Sequence, residues 1–141
     1  MLSRLLLTPL LVIVLSACSQ VQIEQHADLQ PAISLEQFFS GQLSAHGVVK
    51  DRSGKIIRTF NAEIAASWDA GVGTLDEDFV FNDGEQQKRI WTLTPQPDGS
   101  YAGTAGDVVG AGQLQVAGNS VFLDYVLRIP YNDGTIDVRV D

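Results

Sequence analysis

The chain has 141 residues, a formal net charge of −8 and an isoelectric point near 4.5. This length suits one globular domain, and an acidic chain whose nine Lys and Arg residues are scattered without a basic run is not expected to bind nucleic acid. The single cysteine, Cys18, excludes an internal disulfide and a zinc site built from several cysteines.

Residues 1–17 have the organisation of an export signal. Arg4 supplies a positive charge near the start, and residues 5–15 form an apolar stretch. This stretch is too short to span a bilayer core of about 30 Å as a helix. The small residues Ser16 and Ala17 then lie directly before Cys18. We therefore predict a signal peptide over residues 1–17, followed by cleavage.

The sequence Leu-Ser-Ala-Cys at positions 15–18 resembles the bacterial lipobox. That resemblance implies a thioether between Cys18 and diacylglycerol, cleavage before the cysteine, and acylation of the new amino terminus. An ordinary signal peptide without a lipid is the alternative. Residue 19 is Ser and not Asp, which in similar lipoproteins implies an outer-membrane protein that faces the periplasm. The predicted partner at this end is the membrane, through acyl chains on Cys18.

Residues 18–33 are polar, lack a clean period and contain Pro31, as expected of a lipidated tether. His26 lies in this tether without a second histidine or cysteine nearby, so we expect it to be solvated and assign it no role. Ser34 and Gln37 have the spacing of a capping box, which predicts a short helical turn over residues 35–39.

From residue 41 onward, Gly, Asn and Asp turn signals recur at short intervals and separate about eight strand-like segments. Apolar and polar residues alternate in them, as in the run from Phe60 to Trp68, so one face is expected to be buried. We predict that residues 34–141 form one all-β domain, an antiparallel up-and-down meander that makes a lipocalin-like β-barrel, closed or open. The strand pattern still runs at Asp141, so either the last strand closes the barrel or the sequence is a fragment.

Three further stretches accompany the lipobox, and they begin FFSGQLSAHG at Phe38, GTLDEDFVFNDG at Gly73 and YAGTAGDVVGAG at Tyr101. Together with the lipobox they resemble an uncharacterised family of proteobacterial lipoproteins, domain of unknown function 3833. The resemblance covers nearly all of the mature chain. It implies export, lipidation, a lipocalin-like fold and a C-terminus truncated relative to other members, and it carries no catalytic residues.

Charged side chains are expected on the apolar face. Period two places Glu77 with Phe79, Arg89 with Trp91, and Arg58 with the apolar residues of its strand. A three-residue loop centred on Gly84 would pair Phe79 with Arg89 and leave Glu77 diagonal to it. Inward arginines could bind the carboxylate or phosphate of a lipid. The alternative is a Glu77–Arg89 pair that satisfies only itself, or an arginine that reaches solvent.

The leading functional hypothesis is a cavity that binds a lipid or another amphipathic molecule. Its predicted ligand-binding residues are Arg58, Trp68, Glu77, Phe79, Arg89, Trp91, Tyr125 and Leu127. The alternative is a non-enzymatic module with a filled barrel that binds an envelope protein of unknown identity.

Polar groups outside this set give no catalytic pattern. Asp107, in a Gly-rich stretch, is expected to cap a turn, and contact with a ligand is the alternative. The acidic pair Asp76 and Asp78 is expected on a solvated face. The sequence holds no nucleophile and base pair and no metal-ligand spacing, so we predict no enzyme, no metal site and no cofactor.

Overall fold

A computed structural model describes residues 22–51, 53–131 and 133–140. The predicted signal peptide and Cys18 lie outside the described residues. The chain begins with a short 3-10 helix, Ile23–His26, and a four-residue helix α1, Leu35–Phe38. Eight strands follow: β1 Gly41–Lys50, β2 Ile56–Asp69, β3 Val72–Phe81, β4 Gln86–Pro95, β5 Tyr101–Thr104, β6 Gly112–Ala117, β7 Ser120–Tyr131 and β8 Gly134–Val140.

The eight strands form one sheet in which each strand pairs with the next along the chain, in the order β1 to β8. Every pairing is antiparallel, because each connection is a short turn or loop. Within the described residues no ladder joins β1 to β8, so the sheet is barrel-like but not closed. The predicted all-β, eight-stranded meander is confirmed, and it is the open form.

One face of the sheet, called the inner face here, carries the core. In β2 the residues alternate between buried and exposed, with Ala62, Ile64 and Ala66 buried. Cross-strand partners share a face, so the alternation in each strand continues into its neighbour. The core cluster is formed by Leu35, Ile64, Ala66, Leu75, Trp91, Leu93 and Leu114.

The meander gives the sheet two ends, named the α1 end and the loop end. The α1 end carries the β2–β3, β4–β5 and β6–β7 turns, and the loop end carries the other four connections. At the α1 end, Leu35 is buried in the core and the carbonyl oxygen of Phe39 accepts a 2.7 Å hydrogen bond from Trp68 Nε1. The predicted helical turn is confirmed. The capping box is wrong, because among the described residues Ser34 makes no side-chain cap hydrogen bond.

Residues 22–33 pack against the β6–β7 turn, also at the α1 end. The Ile33 N–H donates to the Gly118 carbonyl oxygen at 2.8 Å. The His26 ring lies edge-on to Phe122 with centroids 5.1 Å apart, and His26 Nδ1 is 3.3 Å from Ser120 Oγ. The expectation of a solvated His26 is therefore wrong. No helix among the described residues combines the length and the apolar character needed to cross a membrane.

Candidate functional site

The β3–β4 hairpin brings Glu77 and Arg89 directly opposite each other on the inner face. The predicted Phe79–Arg89 pairing is wrong, because the three-residue loop is centred on Asp83, with Phe81 N–H bonded to the Glu85 carbonyl at 2.9 Å. Gly84 has a φ of +88° and so takes the last loop position, where a left-handed residue is needed. The register differs by two residues, which leaves Glu77 and Arg89 on the predicted face.

Arg89 has the least exposed cationic side chain of this hairpin, and it forms an ion pair with Asp107. Arg89 Nε lies 3.0 Å from both carboxylate oxygens, and Nη2 lies 2.7 Å from Oδ2. The Arg89 side chain is 11% exposed and that of Asp107 is 36% exposed. The guanidinium carbon also lies 5.2 Å from the centroid of the Phe79 ring. Burial works to lower the pKa of Arg89, but the hydrogen bonds and charge of Asp107 outweigh it and raise the pKa.

Asp107 reaches Arg89 from the β5–β6 loop, defined as residues 105–111. Strand β5 has only four residues, so the N-terminal half of β4 has no β5 partner and the loop lies there instead. The loop is held to β7 by two hydrogen bonds of 2.8 Å, from Arg128 N–H to the Asp107 carbonyl and from Val109 N–H to the Val126 carbonyl. These two hydrogen bonds form the isolated antiparallel bridge between Val108 and Leu127.

Three further side chains complete the group around Arg89. The Trp91 and Tyr125 rings meet edge to face with centroids 5.1 Å apart. Burial raises the pKa of the Glu77 carboxyl group, although the Arg89 charge and the Trp91 indole oppose the rise. Burial likewise raises the pKa of Tyr125, against the opposing charge of Arg89. Glu77, Arg89, Trp91, Asp107 and Tyr125 are called the Arg89 cluster.

Two of the predicted ligand-binding residues lie away from the Arg89 cluster. Arg58, at the loop end, places Nη2 2.8 Å from Asp83 Oδ1 and 2.5 Å from Glu85 Oε2, and stacks 3.7 Å above the Phe81 ring centroid. Trp68 lies at the α1 end. The other six predicted residues fall together: Glu77, Phe79, Arg89, Trp91, Tyr125 and, through its bridge to Val108, Leu127.

Large side chains fill the middle of the inner face. Trp91 is 3% exposed and Leu93 is 1% exposed. Gly103, opposite Leu93, is tightly packed, because an added Cβ would lie 3.2 Å from the Trp91 ring, which would have to shift slightly. An open cleft of about 380 Å³ lies instead at the β4–β5 turn, and its lining includes Gln96, Asp98 and Tyr101. None of the eight predicted ligand-binding residues lines this cleft.

The outer face carries the acidic pair. Lys88 Nζ lies 2.5 Å from Asp76 Oδ1 and 3.3 Å from Asp78 Oδ1. This ion-paired arrangement agrees with the predicted solvated face. Across the described parts of the chain, no group of three or more His, Cys, Asp or Glu side chains is arranged to hold a metal ion.

A model of the family described as "Protein of unknown function (DUF3833)" matches residues 12–141. The chain belongs to this family. The matched range contains every described residue, including the whole Arg89 cluster. No curated protein and no solved structure matches the chain. The expected family is thus confirmed, while the proteobacterial and lipoprotein features remain predictions.

Sequence reasoning found four of the five residues of the Arg89 cluster and missed the role of Asp107. Alternation within β3, β4 and β7 suffices to place Glu77, Arg89, Trp91 and Tyr125 on one face. The Arg89–Asp107 contact joins a strand to a loop 18 residues later. Its only signal in the sequence is one acidic residue in a Gly-rich connection that follows a strand with an inward arginine.

Proposed function

We propose that this chain is a non-enzymatic lipoprotein of the bacterial outer membrane that binds an amphipathic ligand on its inner face. The acyl chains on Cys18 would attach it to the membrane on the periplasmic side. The ligand would place its anionic head group at Arg89 and its apolar part against the aromatic side chains nearby.

The observation that carries this proposal is the setting of Arg89. Its guanidinium is nearly buried on an apolar face, beside Phe79 and next to the Trp91–Tyr125 pair. Burial of a charge is costly unless a charged group of opposite sign and good hydrogen-bond geometry accompanies it. A planar guanidinium offers two parallel donors to a carboxylate or phosphate, which is the geometry that Asp107 already uses.

The loop end provides apolar surface for the rest of such a ligand. Ile56, Tyr131 and Ile136 are large apolar or aromatic residues exposed there, on strands at or next to the two edges of the described sheet. Residues 22–33 dock on the β6–β7 turn at the opposite, α1 end, and Cys18 precedes Gln22 by four residues in the sequence. Membrane attachment at Cys18 would therefore leave the loop end free for ligand entry.

The test is purification of the full chain from a Gram-negative host in mild detergent, followed by mass spectrometry of the intact protein and of its lipid extract. We expect a diacylglycerol-modified Cys18 and an anionic amphipathic molecule that co-purifies with the wild type. Arg89→Leu should lose this molecule. Arg128→Leu, which removes an outer-face arginine paired with Asp137, should keep it. Equal lipid content in all three proteins would refute head-group binding at Arg89.

The second candidate function is a protein-interaction module with a filled interior, favoured by the packing of Trp91 and Leu93. In this case the extract of the wild type would contain no stoichiometric lipid. Crosslinking in cells should then recover one envelope protein, and substitutions at exposed edge-strand residues such as Ile136 should abolish the crosslink while Arg89→Leu should not.

A further inference from the structure

The β5–β6 loop carries a carboxylate into the position where a ligand head group is expected, and this inference rests on the proposed function. Asp107 meets the Nε and Nη2 edge of Arg89 with both of its oxygens. This side-on arrangement is the one that a free carboxylate adopts on a guanidinium. The protein therefore already contains a carboxylate complex of Arg89, with the carboxylate supplied by its own chain.

The two partners differ in how easily they can separate. Arg89 is 11% exposed and fixed in β4, whereas Asp107 is 36% exposed and belongs to a loop. A carboxylate that leaves Arg89 can enter water at once, while the guanidinium cannot. Separation of the pair without a replacement would leave a buried charge uncompensated, which is strongly unfavourable. Exchange for a second carboxylate keeps that charge paired.

The loop is attached to the sheet outside the strand ladders. The two backbone hydrogen bonds of the Val108–Leu127 bridge attach it to β7, and neither belongs to the ladder between β6 and β7, while Ala105 and Val108 pack against the core as partly buried residues. Gly106 and Gly110 flank the attached segment, and Gly110 has a φ of +71°. Glycine tolerates the changes in φ and ψ that a hinge requires.

Local charge indicates the class of ligand. Glu77 lies opposite Arg89 in the ladder, so the head group would share one guanidinium with a second carboxyl group. Because an ionised Glu77 repels a second anion bound at the same guanidinium, a monoanion fits better than a phosphate dianion. A carboxylate head group with an apolar chain matches both Asp107 and the surrounding aromatic residues.

We propose that Asp107 is an internal substitute for the carboxylate of a long-chain carboxylic acid, and that the ligand displaces Asp107 from Arg89 and releases the β5–β6 loop from β7. Binding and loop release are then one exchange reaction. In the ligand-free protein the Asp107–Arg89 ion pair holds the β5–β6 loop against β7, an arrangement called the latch. Removal of the Asp107 charge removes the group that competes with the ligand for Arg89.

Binding is tested on the full chain in phosphatidylcholine nanodiscs, by quenching of tryptophan fluorescence with a dibrominated stearate. Trp91 belongs to the Arg89 cluster and reports a bromine atom that comes close. Asp107→Asn should bind roughly tenfold more tightly than the wild type, because a charged competitor has been removed. Asp137→Asn is the matched control, since it alters a comparable Arg–Asp pair on the outer face and should leave the affinity unchanged.

Loop release is tested on the wild type, so it does not depend on any variant folding. Oleate should accelerate hydrogen exchange at the Val109 and Arg128 amides, and methyl oleate, which lacks the charge, should not. Unchanged or weaker binding by Asp107→Asn, or unaltered exchange with oleate, would overturn the latch. If Arg89→Leu still loses quenching in that case, head-group binding at Arg89 stands. Absence of quenching in the wild type and in Asp107→Asn would overturn both proposals.

Discussion

The docking of residues 22–33 on the β6–β7 turn depends on Gly118, and Gly118→Ala should undo it. A Cβ atom at this position would lie 1.9 Å from the His26 carbonyl oxygen and 2.8 Å from that of Leu29. Both neighbours are backbone atoms, so the segment itself would have to move. Gly118 also has a φ of +56°, a conformation that alanine adopts only at a cost of about 1–2 kcal/mol.

The Gly99→Ala variant separates the effect of backbone strain at a positive φ from the effect of the steric clash with residues 22–33. Gly99 has a φ of +86°, and an added Cβ would meet no atom within 4 Å, so only the backbone strain applies. At Gly118 the same strain is joined by loss of the Ile33 hydrogen bond, about 1 kcal/mol, and of the His26–Phe122 ring contact, about 0.5–1.5 kcal/mol. We expect Gly118→Ala to lower the free energy of unfolding by about 3 kcal/mol and Gly99→Ala by about 1 kcal/mol.

The assay is urea unfolding of both variants, followed by tryptophan fluorescence, together with hydrogen exchange at the Ile33 amide. Gly118→Ala should remove the protection of this amide and Gly99→Ala should keep it. Equal losses of stability in the two variants, or a protected Ile33 amide in Gly118→Ala, would refute the docking argument.

Two other predictions concern burial of polar groups on the inner face. Burial raises the pKa of Glu77 in the folded state, so its contribution to stability is present below the unfolded pKa of about 4.3 and is lost as the pH rises through the higher folded pKa. Glu77→Gln should therefore gain stability over the wild type as the pH rises above about 4.3; parallel pH curves for Glu77→Gln and the wild type would contradict this. Trp68→Phe should lower the free energy of unfolding by about 1 kcal/mol, because the carbonyl of Phe39 loses its donor. Urea unfolding reported by Trp91 measures that loss, and an unchanged midpoint would show that the hydrogen bond adds nothing.

The strands and their faces could be predicted from the sequence because both are local properties. Alternation in β2 places Ala62, Ile64 and Ala66 on one face, and the structure buries all three. Turn glycines likewise predict the connections. The β3–β4 register could not be read with the same certainty, since it depends on which loop position Gly84 occupies, and two placements of the loop differ by two residues.

The partner of Arg89 was beyond prediction for a different reason. Asp107 meets Arg89 only because β5 is short, so that the following loop lies beside β7 and not beyond the end of the sheet. Strand length depends on pairing and packing across the whole sheet, not on the residues of the strand alone. The same holds for His26, whose contact with Phe122 joins residues almost a hundred positions apart.

The strictly sequential order of the strands has a consequence for how the protein folds. Each described pairing closes only one short connection, so no pairing needs a strand from a distant part of the chain. The mean sequence separation of contacts is then low for a β protein, and low separation accompanies fast folding. The long β2–β3 hairpin, joined by Ala70 and Gly71, can form first, and later strands can add one at a time on either side. We therefore expect the sheet to form by sequential addition of strands on both sides of the β2–β3 hairpin.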